Sequence, residues 1–425
     1  MSLLSPPPSK TVQFVPPLAP YGPVANRLHY PSQNFSDGTS QSSTYRCTHT
    51  MQESTPFVVL VWVNGASGTA NNVGPNPVTY GAAIDHLVGG VAFNSIVPQQ
   101  VTFGGQSTIT VAPGGYAVSD PIMGPFTKGE LLLVRSWVSV ATLGQKWPVG
   151  IILNYGYDGV LAGDQRAAQN FNTTFATTTT GVTPVLILGP TAGRPTVTGC
   201  GDSIMDGSGD SSAFPGAAGF LTRACDGVCG LHKLGAPGER VNGILVPQGY
   251  ARRLVTASHG GNIVSNYGVN DLGNGSSLAQ LQSDITTFWR MFSPMRKRVF
   301  QTTITPRTNS TDSWATTTNQ IVQTWEANRT GFNSWLRAGA PMNSSFVAVS
   351  IGTPGALLAG QTGHPLYGVF DVASAVEVNA SNVLTLNGGY WQVNGTANYP
   401  TTDGTHPSSV LHIAMAAKID TTKFV

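Results

Sequence analysis

The chain has 425 residues, of which 40% are hydrophobic and only 10% charged, with a formal net charge of +2. That length exceeds what one hydrophobic core usually serves, so two domains are expected. Basic and acidic residues balance in both halves, seven and seven over residues 1–190 and 15 and 13 over the rest, which argues against a nucleic-acid partner.

Charged residues usually make up about 25% of a soluble chain. Gly, Ser, Thr and Asn take their place here, a surface suited to an extracellular or periplasmic setting and to neutral polar partners such as glycans. The first residues, MSLLSPPPSK, carry three prolines and no apolar core of the length a secretory leader needs. No apolar run reaches 18 residues, so no membrane span is expected.

Residues 1–50 are rich in Pro and Ser without periodicity and read as an extended arm. Over residues 51–190, PFVVLVWV, QQVTFGG, STITVAP, GELLLVRSWVSV, WPVGIILNYGY and TPVLILG read as short strands punctuated by Gly, Pro and Asn. Strands in series without helices predict an all-β, jelly-roll-like sandwich. The style changes over residues 191–425. RPTVTGC, GNIVSNYG, RVFQTTITP and SSFVAVS read as strands, and SLAQLQSDITTFWRMF, WATTTNQIVQTWEANRTGFNSWLRAG and SSVLHIAMAAKID as helices. Alternating strands and helices predict a parallel sheet covered on both faces.

Cys47, Cys200, Cys225 and Cys229 allow three pairings; in ACDGVCG, Cys225 and Cys229 are close enough to pair, and equally read as two small buried residues. No CxxC or HExxH spacing occurs, and Asp202, Asp206 and Asp210 do not follow a calcium-loop pattern, so neither a metal nor a cofactor is expected.

Four fragments carry chemistry, each with a bland counterpart. In CGDSIMDGSGD, Ser203 follows a strand and opens a glycine-broken turn, as a nucleophile or as a helix cap. In TTDGTHPSS, Asp403 precedes His406 by three residues, close enough for a carboxylate to orient the imidazole, and the stretch also suits a plain turn. In GVND, Asn270 sits after a strand, as an oxyanion donor or a turn former. In LGAPGER, Gly238 offers a close backbone approach or an ordinary Pro-Gly turn. GxSxG does not occur, so the usual nucleophile elbow is absent.

The order GDS, glycine turn, GxND, DxxH resembles the SGNH (GDSL) hydrolase superfamily over about residues 194–425. The resemblance implies a flavodoxin-like three-layer α/β/α fold. It implies Ser203 as nucleophile, Asp403 and His406 as its partners, and an oxyanion hole from Ser203, Gly238 and Asn270. The Asn often found upstream of the second-block glycine is not evident, and Gly235 is a substitute for Gly238. A β-domain ahead of such a hydrolase looks like carbohydrate O-acetyl esterases. The implied reaction is removal of O-acetyl groups from a poly- or oligosaccharide without a cofactor. The alternatives are a small-molecule or lipid esterase and a non-catalytic glycan-binding or structural protein. Trp62, Trp137, Trp147 and Trp391 are available to a sugar but equally suit a core. Asp202, Glu239, Tyr390 and Trp391 are candidate substrate contacts, the last two from GGYWQVNG just before the histidine.

Overall fold

The computed structural model describes residues 21–32, 34–67, 73–87, 97–151, 157–168, 180–211, 218–245 and 251–425. Residues 1–20 of the expected arm lie outside them, as does part of WPVGIILNYGY.

Two large antiparallel sheets and a small one, Thr180–Gly181, Pro148–Ile151, Asn34–Phe35, occupy the N-terminal half. One large sheet runs Tyr21–Pro23, Leu186–Pro190, Thr55–Val63, Ile122–Phe126, with Tyr116–Val118 also on the 55–63 strand. The other runs Gly159–Ala162, Ser42–Thr50, Leu131–Ser139, Val78–Leu87, Gln99–Val101, with Ile109–Val111 on the 78–87 strand. Val58, Leu60, Trp62 and Ile187 of the first sheet share a core with Tyr45, Tyr80, Ile84, Leu132 and Val134 of the second. The alternate residues Val61, Val63, Leu186 and Leu188 face the other way, into the core of the C-terminal half. That sheet is buried on both faces, which is why PFVVLVWV and TPVLILG are continuously apolar instead of alternating.

The C-terminal half is built on a parallel sheet in the order Leu28–His29, Gly230–Lys233, Thr196–Cys200, Asn262–Ser265, Arg298–Thr302, Gly368–Phe370. Leaving out the first, its strands run 2-1-3-4-5 in chain order, an order whose switch point, between strands 1 and 3, is where doubly wound sheets bind ligands. Helix Phe220–Cys225 contacts helix Ser409–Ala416, while Leu278–Arg290 contacts Val269–Gly273 and Glu326–Arg337. In Leu278–Arg290, Ser277 accepts a cap bond from the Gln280 N–H, and Leu281, Ile285, Phe288 and Trp289 are buried along one side. No helix among the described residues is long and apolar enough to cross a membrane.

Four expectations need correction, and one choice left open is decided. Residues 21–50 are not a loose arm: Tyr21–Pro23 pairs with Leu188–Pro190, Leu28–His29 pairs in parallel with His232–Lys233, and Ser42–Thr50 is a mostly buried strand. SSFVAVS is not a strand. It leaves Val347 and nearby Ile351 58% and 64% exposed, and the sheet instead takes Gly368–Phe370, whose Phe370 stacks on Phe300 at 4.9 Å. The 314–339 helix is helical only over Glu326–Arg337. Its threonine-rich first part is poor in helix formers and supplies the Gln320–Val322 strand instead. Asn270 is not in a loop but in the helix Val269–Gly273. Cys225 and Cys229 are not bridged, and all four cysteines are buried thiols. The Cys229 N–H donates to the Cys225 carbonyl at the helix end.

Candidate active site

The strand Thr196–Cys200 runs into Gly201, where a Cβ would lie 1.6 Å from the Asn266 Oδ1, so glycine is required. Asp202 then caps the short helix Ser203–Asp206, its Oδ1 accepting from the Ile204 N–H at 2.9 Å. The capping role expected of Ser203 thus falls to its neighbour, and Ser203 is the first helical residue. Gly207, at φ 100°, closes the helix. Asn266, which sequence reasoning missed, holds Asp202 from both sides: its Oδ1 accepts from the Asp202 N–H at 3.2 Å and its Nδ2 donates to Asp202 Oδ1 at 3.1 Å. It lies one residue past the end of the Asn262–Ser265 strand, so an Asn at that strand end was the available signal.

His406 Nε2 lies 2.7 Å from Ser203 Oγ, and His406 Nδ1 lies 2.5 Å from Asp403 Oδ2. These residues come from opposite ends of the C-terminal half, 203 positions apart. The other Asp403 oxygen accepts from the N–H groups of Thr405 and His406, both at 2.9 Å. Burial pushes the Asp403 carboxyl up, but the bonds from the His406 backbone and ring outweigh it and hold it below the usual carboxylate range. The carboxylate therefore stays charged and can hold the imidazole in one orientation.

The loop carrying Asp403 and His406 is braced from beneath. The Gly404 carbonyl accepts from Trp391 Nε1 at 3.0 Å and from the Thr308 N–H at 3.1 Å. The Gln320 side chain pairs with the Trp391 backbone in both directions, at 2.8 and 2.9 Å. Gly404 has φ 78°, and a Cβ there would lie 1.8 Å from the Thr308 carbonyl oxygen. Sequence reasoning missed Thr308 and Gln320, whose roles depend on a hairpin it read as helix.

The expected oxyanion residues are drawn together by side chains around them. Asn270 Nδ2 donates to the Glu239 carbonyl at 3.1 Å, and the Asp271 carboxylate accepts from the Val241 and Asn242 N–H groups at 3.1 and 3.3 Å. This ties GVND to the segment that carries Gly238. Gly238 has φ 75° and open space where a Cβ would be, whereas a Cβ on Gly235 would approach the Asp202 carbonyl at 3.1 Å.

Three of the four candidate substrate contacts are buried structural groups. Asp202 is fully buried and serves as the cap, and burial pushes its carboxyl up to about 6. Glu239 forms an ion pair with Arg253 and accepts from the Tyr267 hydroxyl at 2.6 Å. Trp391 has no exposed surface, because its indole is spent under the loop that carries Asp403 and His406. Tyr390 remains half-buried. Trp62 and Trp147 are also core residues, and Trp137 is covered by the Arg166 guanidinium at 5.0 Å.

The helix Ser203–Asp206 is held by His29 from the N-terminal segment and by Lys233 at the end of a parallel strand. His29 Nδ1 lies 3.2 Å from Asp206 Oδ1, and Lys233 Nζ donates to the carbonyls of Asp206 and Ala218 at 2.9 and 2.8 Å. Burial pushes the His29 imidazole down to about 4, leaving it neutral near pH 7.

No family model matches the sequence, and no curated protein matches it. Among solved structures the chain is similar to a protein from Desulfitobacterium hafniense described as lipolytic and of the G-D-S-L family, at 13% identity over 54% of this chain and 98% of that one, with a TM-score of 0.34. A mutant of an acetyl-xylooligosaccharide esterase from Geobacillus is similar at 13% identity over 53% and 93%, with a TM-score of 0.34. A salicylyl-acyltransferase from a tetracycline biosynthetic pathway is similar at 13% identity over 90% and 81%, with a TM-score of 0.34. The chain resembles the SGNH (GDSL) hydrolases in its motifs. The likenesses of structure are faint and leave the function to the residues themselves.

Proposed function

We propose that this chain is a serine ester hydrolase of the SGNH (GDSL) type. The observation that carries the reading is the continuous Ser203–His406–Asp403 hydrogen-bond chain at the crevice of a doubly wound sheet. Ser203 Oγ attacks the ester carbonyl while His406 Nε2 takes its proton. Asp403 orients the ring and stabilises the imidazolium. The N–H groups of Ser203 and Gly238 and the Asn270 amide hold the oxyanion. Nδ2 of Asn270 has two hydrogens, and the structure gives only one a partner, the Glu239 carbonyl. His406 then protonates the leaving alcohol, and water, deprotonated by the same imidazole, releases the acid from Ser203.

The substrate we favour is an O-acetylated poly- or oligosaccharide. A chain with only 10% charged residues and an acid–base loop open to solvent support it: the Asp403 and His406 side chains are 48% and 27% exposed. In the same reading the two helix groups form layers on either face of the parallel sheet. The antiparallel sheets form a jelly-roll-like domain, with the change of domain near residue 190.

The test is release of acetate from 4-nitrophenyl acetate and from a panel of acetylated polysaccharides by the parent and by Ser203→Ala. A loss of at least about 10³-fold in kcat is expected in the variant. Equal turnover in both would remove Ser203 from the mechanism. Turnover of longer acyl esters alone would favour a lipid esterase.

A further inference from the structure

The chain leaves the parallel sheet after Thr302 at the same strand ends that carry Ser203 and Asn270, and at once forms the hairpin Thr308–Ser310 with Gln320–Val322. Its loop is organised around Asp312. That carboxylate accepts from the Ser310 hydroxyl at 2.7 Å, the Thr316 N–H and hydroxyl at 2.9 and 2.7 Å, and Asn319 Nδ2 at 3.1 Å. The loop presents two consecutive residues, Ser313 and Trp314, in the left-handed region at φ 56° and 58°, which residues with a Cβ rarely adopt. Such backbone outliers persist where the surroundings fix them, and they cluster at binding sites.

Here the fixing is visible. The Trp314 N–H donates to Ser310 Oγ at 2.8 Å, and Trp314 Nε1 donates to Thr308 Oγ1 at 3.0 Å. The indole edge lies against the peptide between Asp403 and His406: a Cβ on Gly404 would be 2.8 Å from Trp314 Cζ2. Unlike Trp62, Trp147 and Trp391, Trp314 is only half-buried, and around it Ser313, Thr316 and Asn319 are exposed and uncharged. The one charge in the loop, on Asp312, is already engaged. A rigid, partly exposed indole rimmed by neutral polar groups is suited to the apolar C–H face of a pyranose and its hydroxyls.

We propose that Trp314 is a substrate platform, against which a sugar ring lies while the ester it carries reaches Ser203. For the substrate class the proposal rests on the esterase reading above. Its test therefore does not depend on turnover. Acetylated xylo-, manno- and gluco-oligosaccharides are titrated calorimetrically into Ser203→Ala, and into the same protein carrying Trp314→Ala or Trp314→Phe, with thermal unfolding of each recorded.

The expected result is binding of at least one oligosaccharide, weakened about tenfold by Trp314→Ala and largely kept by Trp314→Phe, which retains a ring but not the Nε1 bond. Unchanged affinity in Trp314→Ala overturns the proposal. So does equal weakening in the Phe variant, which would assign Trp314 a structural role through Thr308, and so does failure of every oligosaccharide to bind. In the otherwise unaltered enzyme, the Trp314→Ala penalty on kcat/KM should be about tenfold larger for the oligosaccharide than for 4-nitrophenyl butyrate, and carried by KM. The reverse preference overturns the sugar platform in favour of an acyl-chain contact. If the parent hydrolyses no ester while binding still depends on Trp314, the esterase reading fails and the platform stands.

Discussion

Trp391 sits under the catalytic loop, with its indole N–H on the Gly404 carbonyl and no exposed surface. Replacing it by Phe keeps a ring in the core but leaves that carbonyl with the Thr308 N–H alone. Small misplacements of reacting groups cost up to about 10²-fold in rate. We expect Trp391→Phe to lower kcat about tenfold with KM nearly unchanged, a split that steady-state kinetics on 4-nitrophenyl acetate reads directly; an unchanged kcat would show that the loop needs no such brace. How legible was this site? The motif order pointed to Ser203, Asp403 and His406 together, and the three are hydrogen-bonded in series, whereas Asn270 bonds to the Glu239 carbonyl. The order could not tell which polar or aromatic neighbours face the crevice. Asp202, Glu239 and Trp391 were read as substrate contacts, yet a cap, an ion pair and an indole bond turn them inward. Burial is decided by partners distant in sequence, and a local motif does not contain them.

At the scale of elements, the turn after the nucleophile's helix is fastened to the next helix by one ion pair. Arg223 holds Asp210 with Nε at 2.7 Å and Nη2 at 2.6 Å, and Asp210 also accepts from the Gly219 N–H at 2.8 Å. Burial pushes the Asp210 carboxyl up, but the Arg223 fork, the nearby His412 and the backbone donors outweigh it and hold it at about 2. A carboxyl held below its unfolded value contributes stability that is fully present above about pH 4 and is lost as pH falls towards 2. Asp210→Asn should therefore lower Tm at pH 7, and the gap to the parent should close between pH 4 and 2. A gap that persists at pH 2 would mean that packing, not charge, is what the substitution removed. Strong periodicity made Leu278–Arg290 legible, while Ser409–Ala416 was legible from a short apolar run. SSFVAVS was not, because an apolar run reads the same whether it is buried or, as here, left exposed. The threonine-rich stretch ahead of Glu326 failed for the related reason that it shares apolar spacing with a helix but not helix propensity.

At the scale of the whole molecule, the two halves are one packed body along the 55–63 strand, whose alternate side chains enter two different cores. The N-terminal segment binds them further: Tyr21–Pro23 pairs within an antiparallel sheet, and Leu28–His29 extends the parallel one. A fragment of residues 191–425, although it contains Ser203, Asp403 and His406, lacks that strand and the Tyr21–Pro23 and Leu28–His29 segments packed on its own sheet. We expect it to be insoluble or to unfold without a cooperative transition, while the full chain unfolds in one step; a soluble, active fragment would refute this. The arm was illegible because a two-residue strand has no pattern of its own, and its partners lie some 200 residues further on. That separation shapes how the protein comes into being. His29 meets Asp206 across 177 positions, and Ser203 meets His406 across 203. Closing such distant pairings slows folding, and the parallel sheet borrows its outer strand, Leu28–His29, from far ahead of its other strands in the chain. Leu28–His29 has no partner until His232–Lys233 has been made, and Ser203 meets the His406 ring only after 203 further residues have followed it. In the proposed esterase, a nascent chain still lacking the Asp403–His406 loop is a scaffold that holds its serine idle.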